Sequence, residues 1–363
     1  MLAPVLRQPL QPMTIEEVEL LAPRSGEVRI KMVASGVCHS CLHVIDGSYT
    51  GAPLPIVLGD EGAGIVTEIG PGVVNVSVGD HAIISWAPTC GYCHNCVRGR
   101  VVLCDNQPPF GYLGDGTTRF KLDGQDVYHY GPATYASEVV IPSNMAIPIR
   151  KDMPLEKAAL IGCSVMTGVG AVTYTARVPA GASLAVFGCG GVGLNAVQGG
   201  ALVSANPIIA VDISDSKLEH ARTMGATHTI NSARTADVPE AIRALTGGRG
   251  AEYAVIAVGN GKVVQQAWDG LAKGGTAVMV GLMPSGELLS IDPIRLMGHE
   301  CRLIGSRYGS SVPSDDFPRM VDLYMAGKLK IDQLITRRYG LDEINEAHRA
   351  LAAGENARSI IVY

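Results

Sequence analysis

No apolar run in this 363-residue sequence approaches the roughly 18 residues of a membrane-crossing helix, so no membrane partner is expected. The start, Met1-Leu-Ala-Pro-Val-Leu-Arg, lacks a charged leader followed by an apolar block and a cleavage site, so a cytoplasmic location is expected. Charge is sparse. Asp, Glu, Lys and Arg make up 17% of the chain, the net charge is −5 and the basic residues are scattered. That pattern speaks against nucleic acid as a partner. No tandem repeat or low-complexity tract is apparent. With 47% hydrophobic residues the chain is globular rather than disordered, and it is long enough for two domains with a large core.

Cysteine is where the sequence is generous. There are nine, and four crowd into Cys90-x-x-Cys93-x-x-Cys96-x7-Cys104 on a Gly-punctuated stretch. Under reducing conditions such crowding reads as metal binding rather than disulfides. Four thiolates at this spacing close a tetrahedron around Zn²⁺ with no open position, which makes a structural site in a lobe at about residues 88–106.

A second stretch carries a nucleotide signature. The apolar run Leu184 to Phe187 ends in Gly188-x-Gly190-x-x-Gly193, with Gly191 and Val192 between, and a helix-capable segment follows from Val192 to about Leu202. Gly188 allows the tight turn, Gly190 the approach of a pyrophosphate and Gly193 close helix–strand packing. The first helical amides then face an anion. A second apolar run, Ile208 to Val211, ends at Asp212, placed to bind an adenosine ribose and to repel a 2′-phosphate, which selects NAD. Lys217 follows on the next helix as a further cofactor-side candidate.

The rhythm around these motifs divides the chain. Residues 1 to about 150 read as short strands punctuated by Gly and Pro: Glu27 to Ser35, Gly62 to Ile69, Asp80 to Ser85 and Ser137 to Ile141. Asp105 to Thr134, polar and dotted with aromatics, reads as a long surface excursion. Pro154 to Thr175 reads as a helix. From Ser183 strands and helices alternate, with a capping pattern Ser216-x-x-Glu219 and a helix over Lys262 to Leu271, which predicts an α/β doubly wound parallel sheet. After about Gly305 the alternation breaks. The expected division is a mostly-β catalytic domain over 1–164, a Rossmann domain over 165–307 and a return to the first domain over 308–363.

The chain resembles the zinc-dependent, medium-chain alcohol dehydrogenases over nearly its full length. The resemblance rests on Gly36-Val-Cys-His-Ser, Leu58-Gly-Asp-Glu-Gly-Ala-Gly, the four-cysteine knuckle, Ile161-Gly-Cys-Ser-Val-Met-Thr-Gly, the Gly188 loop with Asp212, and Ala357-Arg-Ser-Ile. It implies a GroES-like catalytic domain split between the two chain ends, two Zn²⁺ per chain and NAD. By the same resemblance Cys38 and Cys163 ligate the catalytic zinc, and Glu61 is the acid behind the metal. Ser40 hydrogen-bonds the substrate oxygen, and His43 ends a proton relay through the cofactor ribose. His39 and Arg358 contact the pyrophosphate, Thr167 and Val280 lie on the cofactor side, and Tyr49 and Trp86 match substrate-pocket positions. The segment Val278 to Arg307 matches strands used for dimerisation, so a homodimer is expected. The substrate expected is a primary or secondary alcohol, aromatic or bulky alcohols included.

Two departures from the family pattern stand out. The third ligand position, a His in most relatives, holds Asp60, and Cys41 replaces the Asp that would accept that His N–H. A carboxylate has no N–H to give, so loss of the acid fits Asp60 as ligand. Two thiolates and Asp60 would leave the zinc at −1, which lowers its Lewis acidity. Three alternatives stay open: Glu61 as ligand, Cys41 as ligand, or a weakly held zinc. Two other functions also remain: an aldehyde or enone reductase of the same superfamily, and a non-catalytic NAD-binding relative.

Overall fold

Val28, Ile30 and Met32 alternate with Arg29 and Lys31, and in a computed structural model describing residues 1–363 this stretch forms strand Glu27–Gly36. The apolar residues are buried and the basic ones at least partly exposed, as a strand with one wet face requires. This strand is the hub of an antiparallel-dominated sheet. Its neighbours are Gly62–Ile69, Glu138–Pro142 and the last strand, Arg358–Val362. Register places Ile361 opposite Ser35 and Gly62 opposite the same residue on the other side. The chain end therefore completes the sheet begun near the chain start. A second sheet orders Thr14–Glu17, Leu2–Leu6, Ile56–Val57, Gln125–His129, Phe120–Leu122 and Glu19–Leu20. Val5, Val28, Ile30, Val66, Phe120 and Val139 belong to the shared core.

These elements form one compact unit, Met1–Ser164 with Val312–Tyr363; Val165–Ser311 forms the other. The return therefore begins at Val312 rather than at 308. Residues 308–310 belong with the second unit because Gly309 packs directly on the backbone of Gly170, and Ser306 and Ser310 both hydrogen-bond Thr175.

The second unit holds a six-stranded, wholly parallel sheet. Its order is His228–Asn231, Ile208–Asp212, Leu184–Phe187, Ala251–Ile256, Leu271–Met279, Arg302–Gly305. The first strand in sequence lies in the middle and the order reverses beside it, which is where a doubly wound sheet opens its binding crevice.

Four further expectations need correction. Asp105 to Thr134 is not a surface excursion: it contains strands Phe120–Leu122 and Gln125–His129, and Arg119 is fully buried. Burial of that guanidinium is tolerated because Glu27 pairs with it in two places, at 2.8 and 2.5 Å, and Asp115 at 2.7 Å. Pro154 to Thr175 is not one helix. Cys163, at φ −146° and ψ −74°, breaks it between a 3₁₀ turn and helix Ser164–Gly170. The helix after Asp212 is Asp215–Met224 with Ser214 at its N-cap, so Ser216 lies inside the first turn. The helix drawn over Lys262 to Leu271 ends at Asp269, and Leu271 already begins a strand.

Candidate active site

Three remote segments bring their donors together. Cys38 caps helix His39–Ile45 in an extended conformation, which turns the chain from the hub strand into the helix. Asp60 follows Leu58 and Gly59, whose carbonyls accept the amides of Tyr135 and Thr134 at 3.0 and 2.9 Å. Gly59 has φ 109°, and a Cβ there would strike Thr134 and Tyr135. Cys163 sits at the helix break just described. The Sγ atoms of Cys38 and Cys163 and a carboxylate oxygen of Asp60 lie within 4.8 Å of one another, all buried.

The electrostatics of this cluster suit a cation. Burial, then the neighbouring Cys38, pushes the Asp60 carboxyl well above its usual range. A hydrogen bond with Cys163 holds Cys38 well below the usual thiol range, helped by Arg358 and Ser40. The same bond, with burial, raises Cys163. Three acidic groups cannot all ionise in a desolvated pocket without a counter-charge, and a divalent cation supplies it. Two thiolates and a carboxylate fit zinc and leave a fourth position for a ligand.

The residues around the cluster have partners of their own. Glu61 is committed elsewhere: its Oε1 accepts from the Ser164 amide at 2.7 Å and hydroxyl at 2.8 Å, and its Oε2 pairs with Arg358. Gly36 must lack a side chain because the Glu61 carboxylate occupies that space. Arg358 is only 4% exposed, and its guanidinium pairs with Glu61. Cys41 Sγ is 4.0 Å from Asp60 Oδ1 but lies outside the cluster of ligand atoms, and burial raises its thiol strongly. Ser40 bridges the site. Its Oγ is 3.1 Å from Cys38 Sγ and also contacts Asp60 Oδ2.

An aromatic face adjoins these donors. Tyr49 lies 5.4 Å from Phe110, which lies 5.4 Å, edge-on, from Tyr130. Phe110, Tyr130 and Trp86 pack on the apolar cluster that includes Cys38 and Cys163. Phe110 and Tyr130 were missed in the sequence because they sit in the stretch taken as surface. Their aromatic character within a polar run was the available signal. His39 is exposed at the helix start, its ring 6.2 Å from that of His43.

The four-cysteine knuckle is formed. All four Sγ atoms lie within 4.8 Å of one another, with Cys90–Cys96 at 4.0 Å and Cys93–Cys104 at 3.9 Å. A zinc tetrahedron with bonds of about 2.3 Å has edges of about 3.8 Å, so the residues fit. The amides of Cys93 and Cys96 donate to the sulfurs of Cys90 and Cys93 at 3.3 and 3.4 Å, as they would to thiolates.

In the second unit Gly188 has φ 87°, and a Cβ on Gly193 would strike its carbonyl. Helix Gly191–Leu202 starts at once, with Gly190 as N-cap and Val192 in its first turn. Nothing lies within 4 Å of where a Gly190 Cβ would stand, so that backbone is open to a pyrophosphate. The Asp212 carboxylate accepts from the Cys189 amide at 2.7 Å and the Ser214 amide at 2.9 Å, which ties it to the glycine loop. Lys217 lies in the first turn of Asp215–Met224, Thr167 on Ser164–Gly170, and Val280 just after Leu271–Met279.

Comparison with known proteins agrees with this arrangement. Residues 24–151 match the alcohol dehydrogenase GroES-like domain, and 191–326 match the zinc-binding dehydrogenase family. The chain is 40% identical to an NDMA-dependent alcohol dehydrogenase of Amycolatopsis methanolica, over 99% of this chain and 98% of that one. It is 38% identical to an S-(hydroxymethyl)glutathione dehydrogenase of Paracoccus denitrificans, over 97% of each. The solved benzyl alcohol dehydrogenase of Acinetobacter calcoaceticus superposes with a TM-score of 0.94 at 32% identity, covering 99% of this chain and 98% of that one.

Proposed function

The chain belongs to the zinc-dependent alcohol dehydrogenase family, and we propose that its substrate is an aromatic or comparably bulky alcohol. The activity is reversible hydride transfer between an alcohol and NAD. The observation that carries the substrate reading is the aromatic face of Tyr49, Phe110 and Tyr130 beside the Cys38–Asp60–Cys163 cluster. The benzyl alcohol dehydrogenase among the structural relatives supports it.

When bound, zinc draws charge from the alcohol oxygen and NAD takes the hydride. Cys38, Cys163 and Asp60 would hold the metal, and Asp60 is our choice for the third ligand because its oxygen, not that of Glu61, lies among the sulfurs. Ser40 Oγ hydrogen-bonds the reacting hydroxyl and passes its proton on, and His43 receives it. The aromatic rings exclude water and orient a planar substrate by edge and face contacts. Asp212 is held by two amides at the end of its strand, where its remaining lone pairs suit a ribose diol and repel a phosphate. We also propose a homodimer. Leu288 (90% exposed), Met297 (77%) and Ile294 (66%) offer apolar surface in the 278–307 segment. Sedimentation at one dimer mass supports that state, and a monomer mass refutes it.

A panel of alcohols with NAD tests the substrate reading. Benzyl alcohol should exceed ethanol in kcat/KM by on the order of 10²-fold, since ring burial contributes a few kcal/mol. Preference for ethanol or for S-(hydroxymethyl)glutathione would overturn it.

A further inference from the structure

His43 lies in the last turn of helix His39–Ile45, and the chain leaves through Asp46, Gly47 and Ser48. Gly47, at φ 75°, folds Ser48 back over the helix end. The Ser48 hydroxyl then lies 2.8 Å from His43 Nδ1 and 2.6 Å from Asp46 Oδ1. The Ser48 amide donates to the same carboxylate oxygen at 2.8 Å. Asp46 is exposed, while His43 and Ser48 are half-buried.

Ser48 has a single hydroxyl proton to place. Two oxygens 2.6 Å apart need a proton between them, and a carboxylate brings only acceptors, so that proton goes to Asp46. The His43 carbonyl, at 3.4 Å from the same hydroxyl, is the weaker competitor. The 2.8 Å contact with His43 must then be supplied by the ring, which puts hydrogen on Nδ1. In a neutral imidazole the other nitrogen is an acceptor, so Nε2 carries the lone pair.

We infer that Ser48 and Asp46 are positioning residues that hold His43 as its Nδ1–H tautomer, leaving Nε2 as the atom that accepts the substrate proton. The inference rests on the reading that His43 terminates the proton relay. The balance is simple. The alcohol's proton arrives on Nε2, the ring gains one positive charge, and Nδ1–H stays on Ser48 while the Ser48 proton stays on Asp46. The carboxylate offsets the new charge until Nε2 releases its proton to water. The His39 ring, 6.2 Å away, is a neighbouring titratable group and would oppose that charge when protonated.

The test is nitrogen NMR of the full-length protein, loaded with zinc and NAD and labelled in histidine, with His43 assigned by its loss in His43→Gln. The native ring should show protonated Nδ1 and bare Nε2. Ser48→Ala should move most of the population to Nε2–H and lower kcat roughly tenfold with KM nearly unchanged, less than loss of the whole acid–base group would cost. Ser48→Thr should restore both. A native ring protonated on Nε2, or a tautomer unmoved in Ser48→Ala, overturns the inference. If the tautomer is as stated but His43→Gln turns over normally, the relay reading fails instead, and the catalytic purpose of the pair falls with it.

Discussion

The two cysteine clusters of this protein use the same chemistry to opposite ends. In the knuckle all four donors come from one short loop, and backbone amides orient the sulfurs. In the catalytic cluster 103 positions separate Asp60 from Cys163, the donors are buried, and a side-chain hydroxyl, Ser40, reaches two of them. Four thiolates saturate a tetrahedral ion; two thiolates and a carboxylate do not. The knuckle is therefore built to be closed and local, and the catalytic cluster to be open and assembled. A fold can lose the second without losing its shape, but not the first without loosening a lobe.

The sharpest way to separate them is to remove one donor from each. Asp60→Ala should cost at least about 10³-fold in kcat/KM, the scale of several kcal/mol of lost metal chemistry. Metal analysis should then find one zinc per chain instead of two, with little change in melting temperature. Retention of both zincs would remove Asp60 from the ligand set and return Glu61 or Cys41 to consideration. Cys104→Ala should reverse the pattern. It loses the knuckle zinc and, with it, several kcal/mol of folding free energy of the lobe, seen as a melting point lower by roughly 10 °C or more. The remaining folded enzyme should keep kcat within about twofold. A knuckle variant that melts normally but turns over slowly would collapse the distinction between the two sites. The smallest effect concerns charge. Asp60→His replaces an anionic donor by a neutral one, so the ascending limb of the pH profile of kcat/KM should move to lower pH by about one unit. An unchanged or higher midpoint would mean that the carboxylate does not set the charge at the metal.

The same contrast explains what could be read in advance. The knuckle and the Gly188 loop were legible because each motif is nearly contiguous and each residue answers a local demand: four sulfurs within fifteen residues, or a glycine where a side chain would strike a backbone carbonyl. The parallel sheet of the second unit was legible through its alternation. The segment 105–134 was misread because Arg119 and Asp115 look like surface residues until Glu27, from the hub strand, is found to pair with the guanidinium. The break at Cys163 was hidden because Leu155, Ala158 and Ala159 keep a helical spacing up to it, and the backbone of Cys163 itself leaves the helical region.

Sequence alone determined the chemistry available: two sets of metal donors, a dinucleotide loop with its acid, and an Asp-for-His exchange whose partner change at Cys41 could be seen beside it. The tertiary structure decided which donors meet. It placed Asp60 among the sulfurs and tied Glu61 to Ser164 and Arg358. It also brought Phe110 and Tyr130 beside the site and set Ser48 between His43 and Asp46. The reason is range. Spacing and glycine act over a few residues of backbone, whereas burial, ion pairing and the direction of a hydrogen bond depend on neighbours that only the folded chain brings within a few ångströms.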